Sequence, residues 1–154
     1  MMTVDEMLDR AADHARTVLV GKPGAELIPT WLIQETGRTV IVGTPWGGDD
    51  EKNFYLAILR GMLKKLDVVS YSFMSEAWMA HEDPKHPTGL MPREREDRQE
   101  VVIINAFDRK GGKMRAYEMK RGADGAVVDL VKQGEDYDRL GGRMHNLFEP
   151  EDSH

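Results

Sequence analysis

Four consecutive β-branched residues, Val101-Val102-Ile103-Ile104, run without a polar residue between them. Alternate side chains of a strand point to opposite faces of its sheet. A strand of this kind is therefore apolar on both faces and belongs in the middle of a sheet. The flanking sequence supplies its neighbours. Val68 to Ala80 alternates as a single long strand, Val69, Tyr71, Phe73, Ser75, Ala77 and Met79 on one face, with a bend or bulge expected from its length. Lys113 to Arg121 and Ala126 to Lys132 read as two more strands, separated by Gly122-Ala123-Asp124-Gly125. With the turn Arg109-Lys110-Gly111-Gly112, this is a meander around the central strand Glu100 to Asp108. Ile103 is expected among its most buried residues.

The N-terminal half alternates differently. Thr3 to Val20 predicts a helix opened by the capping box Thr3-Val4-Asp5-Glu6, with Met7, Leu8, Ala11, Ala15 and Leu19 at spacings of three and four. Leu27 to Glu35 and Arg38 to Gly43 predict a strand pair around Thr36-Gly37, and Pro29 pushes the first of them toward an edge. Glu51 to Leu66 predicts a second helix with Phe54, Tyr55, Ile58, Leu59, Met62, Leu63 and Leu66 as its apolar stripe. The order α-β-β-α-β-β-β-β segregates strands from helices. It implies an α+β domain, two helices packed on one face of a mostly antiparallel sheet of about six strands. A chain of 154 residues implies one domain, over residues 1–134. Residues 135–154, rich in acids, read as a partly ordered tail.

Composition narrows the setting. There is no cysteine, which excludes thiol catalysis, Cys-ligated zinc and a disulfide frame. No stretch approaches the length of a membrane-spanning helix, and the acidic, interrupted N-terminus does not read as a secretory signal. A cytoplasmic location follows as the expectation. The net charge of -6 disfavours general binding to nucleic acid or anionic lipid.

The segment Tyr71-Ser72-Phe73-Met74-Ser75-Glu76-Ala77-Trp78, followed by Asp97-Arg98-Gln99-Glu100-Val101-Val102-Ile103, resembles a family of small bacterial and phage-associated proteins. These share a strand ending in Ser-Glu-Ala-Trp and a second strand beginning Asp-Arg-x-Glu-Val-Val. The resemblance implies a bacterial or phage source and an α+β fold, and it implies no activity.

Four places carry chemistry. His81 and His86 in the polar loop 81–98, with Glu76 upstream, are the metal candidates, since imidazole and carboxylate suit a divalent ion. Their spacing is not that of His-Glu-x-x-His, and the alternative is a solvated loop whose Arg93, Arg95 and Arg98 pair with its acids. Glu76 beside Trp78 is the candidate general acid or base, or else a structural partner of a nearby Arg. The hairpin Arg109 to Arg121 sets six cations against Glu118 and the adjoining Asp108 in an acidic chain. Lys113, Arg115, Tyr117 and Arg121 share a face there as a candidate binding surface, unless these charges protect a sheet edge or meet the chain's own acidic tail. The loop Gly43-Thr44-Pro45-Trp46-Gly47-Gly48-Asp49-Asp50 lacks the Gly-Lys-Ser/Thr of a P-loop and reads as a helix-capping turn.

These readings predict a non-enzymatic binding or accessory protein. Its partner is a protein, met through the sheet edge, the hairpin or the long loop. No cofactor is implied, and nucleic acid is disfavoured. A homodimer covering one sheet edge remains open. The alternative is a metal-dependent hydrolase built on Glu76, His81 and His86.

Overall fold

The computed structural model describes residues 2–45, 47–65, 68–80, 89, 96 and 98–137. Helix α1 (Val4–Leu19) is followed by strands β1 (Thr30–Glu35) and β2 (Arg38–Gly43), helix α2 (Asp49–Lys65), and strands β3 (Val68–Met79), β4 (Gln99–Asp108), β5 (Gly111–Arg121) and β6 (Val127–Tyr137). This is the expected α+β order. The six strands form one sheet, β2-β1-β3-β4-β5-β6, antiparallel throughout.

Local chemistry fixes the elements. The capping box forms: Thr3 Oγ1 accepts from the Glu6 amide at 3.1 Å, and the Glu6 carboxylate accepts from the Thr3 amide at 3.2 Å. Two of the helix's unsatisfied donors are thereby paired. Glu51 accepts from the Gly47 amide at 3.0 Å, so the glycine-rich loop does serve as a capping turn for α2. At the β4–β5 turn, Asp108 Oδ1 accepts from the amides of Lys110 and Gly111. Opposite Phe107, a Cβ at Gly112 would lie 2.3 Å from the Phe107 ring, so only glycine fits under that aromatic.

The two helices do not share a face, contrary to the sequence expectation. Met7, Leu8, Ala11, Ala12, Ala15 and Leu19 of α1 pack on Leu32, Met74, Val102, Ile104, Ala106, Tyr117, Met119 and Leu130. Leu56, Leu59 and Leu63 of α2 pack on Trp31, Ile33, Tyr71, Phe73 and Phe107. Because these strand residues alternate, the two clusters lie on opposite faces. The sheet is apolar on both sides, so each side takes one helix. Of the expected α2 stripe, Leu59 and Leu63 are buried, while Phe54 and Ile58 stand in solvent; Leu56, outside that stripe, is buried in their stead. Leu66 lies outside the described residues.

Three further expectations shift. Pro29 precedes β1 and does not make it an edge; β2 is the edge and β1 its inner neighbour. The basic hairpin is not an edge either, because β6 covers β5. β4 is central as predicted, but Ile103 is only half-buried while Val101, Val102 and Ile104 are fully buried. Ile103 faces the α2 side, and the cluster under α2 reaches Phe107 on β4 without extending to Ile103. The bulge expected in β3 occurs at its start, where Gln34 faces Ser70 and Glu35 faces Val68, leaving Val69 unopposed. β6 continues to Tyr137, past the expected domain end at residue 134; residues 138–154 of the acidic tail lie outside the described residues. No helix among the described residues is long and apolar enough to cross a membrane.

Candidate functional site

The α1 face of β5 places Lys113, Arg115, Tyr117, Met119 and Arg121 in one row, as the strand period requires. Each of its cations meets an acid of the same chain. Lys113 pairs with Asp5 at 3.1 Å. Arg115 is buried and makes a two-pronged pair with Asp136 on β6, at 2.9 and 3.0 Å. It also donates to Asp9 at 2.6 Å and to the Tyr117 hydroxyl at 3.2 Å. The Asp136 carboxylate holds the Arg115 guanidinium still more firmly protonated than usual, and Arg115 in turn pulls the Asp136 carboxyl below its ordinary range. Tyr117 is buried with the Arg16 guanidinium 5.2 Å above its ring. The positive row is thus neutralised by Asp5 and Asp9, one helical turn apart on α1, and by Asp136. Asp136 belongs to the acidic segment that the sequence singled out as one partner for this hairpin, although it lies in a strand.

Arg121 sits apart from these three. It makes a two-pronged pair with Glu100 at 2.9 Å in both arms and donates to the Gly125 carbonyl at 2.6 Å. Glu76 and Trp78 lie on this same face of β3, opposite in parity to Tyr71 and Phe73. Trp78 carries the Arg98 guanidinium 4.8 Å from its ring centre. A groove of about 480 Å³ opens here, bordered by Trp78, Arg98, Glu100, Met119, Lys120 and Arg121.

Burial pushes the Glu76 carboxyl up, and the nearby charges of Glu26 and Glu100 add to this; a hydrogen bond from the Leu27 amide and the charge of Arg121 oppose it. A carboxyl raised in the folded state favours folding when protonated. That contribution is full below its unfolded pKa and is lost as pH rises through its folded pKa. Glu76→Gln keeps an acceptor for Leu27 and carries no charge. The melting temperature of this variant relative to the native chain should therefore rise between about pH 4 and about pH 7. A difference that is flat across this range would exclude the buried charge.

His81 and His86 lie outside the described residues, as do Arg93 and Arg95. Among the described residues, no three His, Asp or Glu side chains converge in a way that would hold a metal ion.

The sheet edges differ sharply. The Thr44 amide donates to the Pro29 carbonyl at 2.8 Å. With the register Glu35↔Arg38, Ile33↔Val40 and Trp31↔Val42, this fixes the phase of the ladder. Thr39, Ile41 and Gly43 then point their backbone N–H and C=O groups away from β1. Among the described residues nothing pairs with them. The strand carries Thr39-Val40-Ile41-Val42 with no charge, proline or bulge in that run, and Ile41 is 55% exposed. The opposite edge, β6, has Asp129, Lys132, Glu135 and Asp136, two register shifts against β5, and Gly134 at φ +63°. Charges and irregularities of this kind discourage further strand pairing.

Sequence reasoning named Lys113, Arg115, Tyr117 and Arg121 and the acidic segment that holds Asp136, but missed Asp5, Asp9 and Glu100. Asp5, Asp9 and Asp13 recur every four residues on α1, which was the available signal. It named β2 as a strand but missed it as the open edge, although its uncharged β-branched run was visible. Comparison with protein-family models, with curated proteins and with solved structures returns no significant match for this chain.

Proposed function

We propose that this chain is a non-enzymatic binding protein that receives an extended segment of a protein partner along β2. The observation that carries this reading is the outward ladder of Thr39, Ile41 and Gly43 on an edge whose run Thr39–Val42 carries no charge. An incoming strand would take its main-chain hydrogen bonds from that ladder and its side-chain selectivity from alternate positions. The internal pairing of Lys113, Arg115 and Arg121 disfavours the basic hairpin as the docking surface.

The test is binding of a library of extended peptides with alternating apolar residues, read by fluorescence polarisation and by amide hydrogen exchange on the full chain. Bound peptide should slow exchange at Thr39, Ile41 and Gly43. Ile41→Lys should weaken binding at least tenfold while leaving the melting temperature unchanged, since a lysine on an edge strand is a recurrent block to pairing. Peptide binding without added protection at these amides would overturn the reading.

A further inference from the structure

The outer face of α2 is apolar where a surface helix is normally polar. Leu56, Leu59 and Leu63 hold one side of the helix to the sheet. Diametrically opposite them, at 100° per residue, lie Phe54, Ala57, Ile58 and Gly61, all exposed. Phe54 is 64% and Ile58 45% exposed. The spacing i, i+3, i+4, i+7 is that of a helix seam. A helix apolar on both sides is one that is covered on both sides.

The stripe is complementary to itself when reversed. The helix opens with Asp49, Asp50 and Glu51 and closes with Lys64 and Lys65. A second copy, antiparallel about a two-fold axis at Ala57/Ile58, would place Phe54 of each copy over Gly61 of the other. A Cβ built at Gly61 meets nothing within 4 Å, so the backbone there is open to an incoming ring. The two Ile58 side chains would meet at the axis. Asp50 and Glu51 of each copy would face Lys64 and Lys65 of the other. Large meets small and acid meets base under one symmetry operation, which is the isologous pattern of a two-fold dimer.

We infer that two copies of this chain associate through the outer faces of their α2 helices, packed antiparallel. The occupant of the stripe is the same stripe on a second molecule. This pairing is separate from the β2 edge and leaves that edge open.

Light scattering on the size-excluded protein at micromolar concentration tests it. The native chain should give twice its 17.5 kDa mass. Ile58→Asp puts two carboxylates at the axis and should give the single-chain mass with the native circular dichroism spectrum and a melting temperature that no longer depends on concentration, because Ile58 is outside the core cluster under α2. Asp50→Lys and Lys65→Glu, which face each other under this axis and spare the Glu51 cap, should each be monomeric alone. Mixed one to one they should form a dimer, because both charge clusters are then matched. Three outcomes would overturn the inference: a single-chain mass for the native protein throughout this range, a dimer that persists in Ile58→Asp, or no dimer on mixing the two charge variants. A dimer lost on Ile41→Lys and retained in Ile58→Asp would move the contact to β2 and overturn it as well.

Discussion

Replacing Trp31 by alanine is expected to cost about 3–5 kcal/mol of stability, the range for emptying a large aromatic site in a packed core. Trp31 is 1% exposed. Its ring lies 4.3 Å from that of Phe73 and 5.9 Å from that of Tyr71, measured between centroids. Its indole N–H donates to Thr44 Oγ1 at 3.0 Å. The substitution therefore opens a cavity under α2 and takes one of two hydrogen bonds from the Thr44 hydroxyl, which also donates to the Pro29 carbonyl at the end of the β1–β2 hairpin. For a chain of this size, a loss of this order lowers the melting temperature by about 10 °C. Calorimetry checks it. A drop of only a degree or two would mean that α2 and its cluster contribute little to holding the sheet. Trp31→Phe, which keeps the ring and loses the N–H, should fall between the two.

Arg115→Met is the second large effect, at about 3 kcal/mol by urea titration. The loss arises less from the missing attraction than from what remains. Asp136, mostly shielded on β6, keeps a charge that among the described residues Lys132 at 3.3 Å is left to answer. Neutralising both partners tests this directly. Arg115→Met with Asp136→Asn should recover much of the loss, because a buried pair replaced on both sides leaves no orphaned charge. Acid gives an independent check. Arg115 depresses the Asp136 carboxyl, so the native chain's advantage over Arg115→Met is present at neutral pH. It should shrink as pH falls below the usual carboxylate range and Asp136 protonates. An advantage that persists undiminished in acid would place the effect in packing alone.

The strands were legible because their pattern is local. Val101 to Ile104 marked the middle of the sheet, and the turns at Thr36-Gly37 and Arg109-Lys110 placed the hairpins. The side of the sheet that each helix takes was harder to see, although the same residues implied it. A central strand apolar on both faces needs two covers, and Trp31-Leu32-Ile33 repeats the demand on β1. Element order alone says nothing of which cover comes from which helix. The burial of Ile103 failed for a related reason: α2 covers only part of its face, and the reach of a helix across a sheet is a tertiary quantity. In the candidate site, the cations were readable, and so was the acidic segment that supplies Asp136, while the partners on α1 were not. Asp9 lies 106 positions from Arg115, a pairing that only the closed fold brings about. The β2 edge was hidden by Pro29, which suggested that the neighbouring strand was the exposed one.

The tie between α1 and the last strand has a consequence for synthesis. Arg115 joins Asp9 to Asp136, Arg16 reaches the Leu130 carbonyl, and Val20 bridges Val127. The first helix made is thus completed by the last strand made. At translation rates of about 5–20 residues per second, α1 waits on the order of ten seconds for residue 136 to follow. Leu32, Met74, Val102 and Ile104 give its apolar face a surface before then, but the Arg115–Asp136 pair and the contacts to Val127 and Leu130 are still missing. The nascent chain must hold α1 on β3 and β4 without its last partners until the ribosome has passed β6. A pause or truncation before that point leaves a five-stranded sheet in which Arg115 lacks Asp136 and α1 lacks Val127 and Leu130, a species suited to chaperones and proteases.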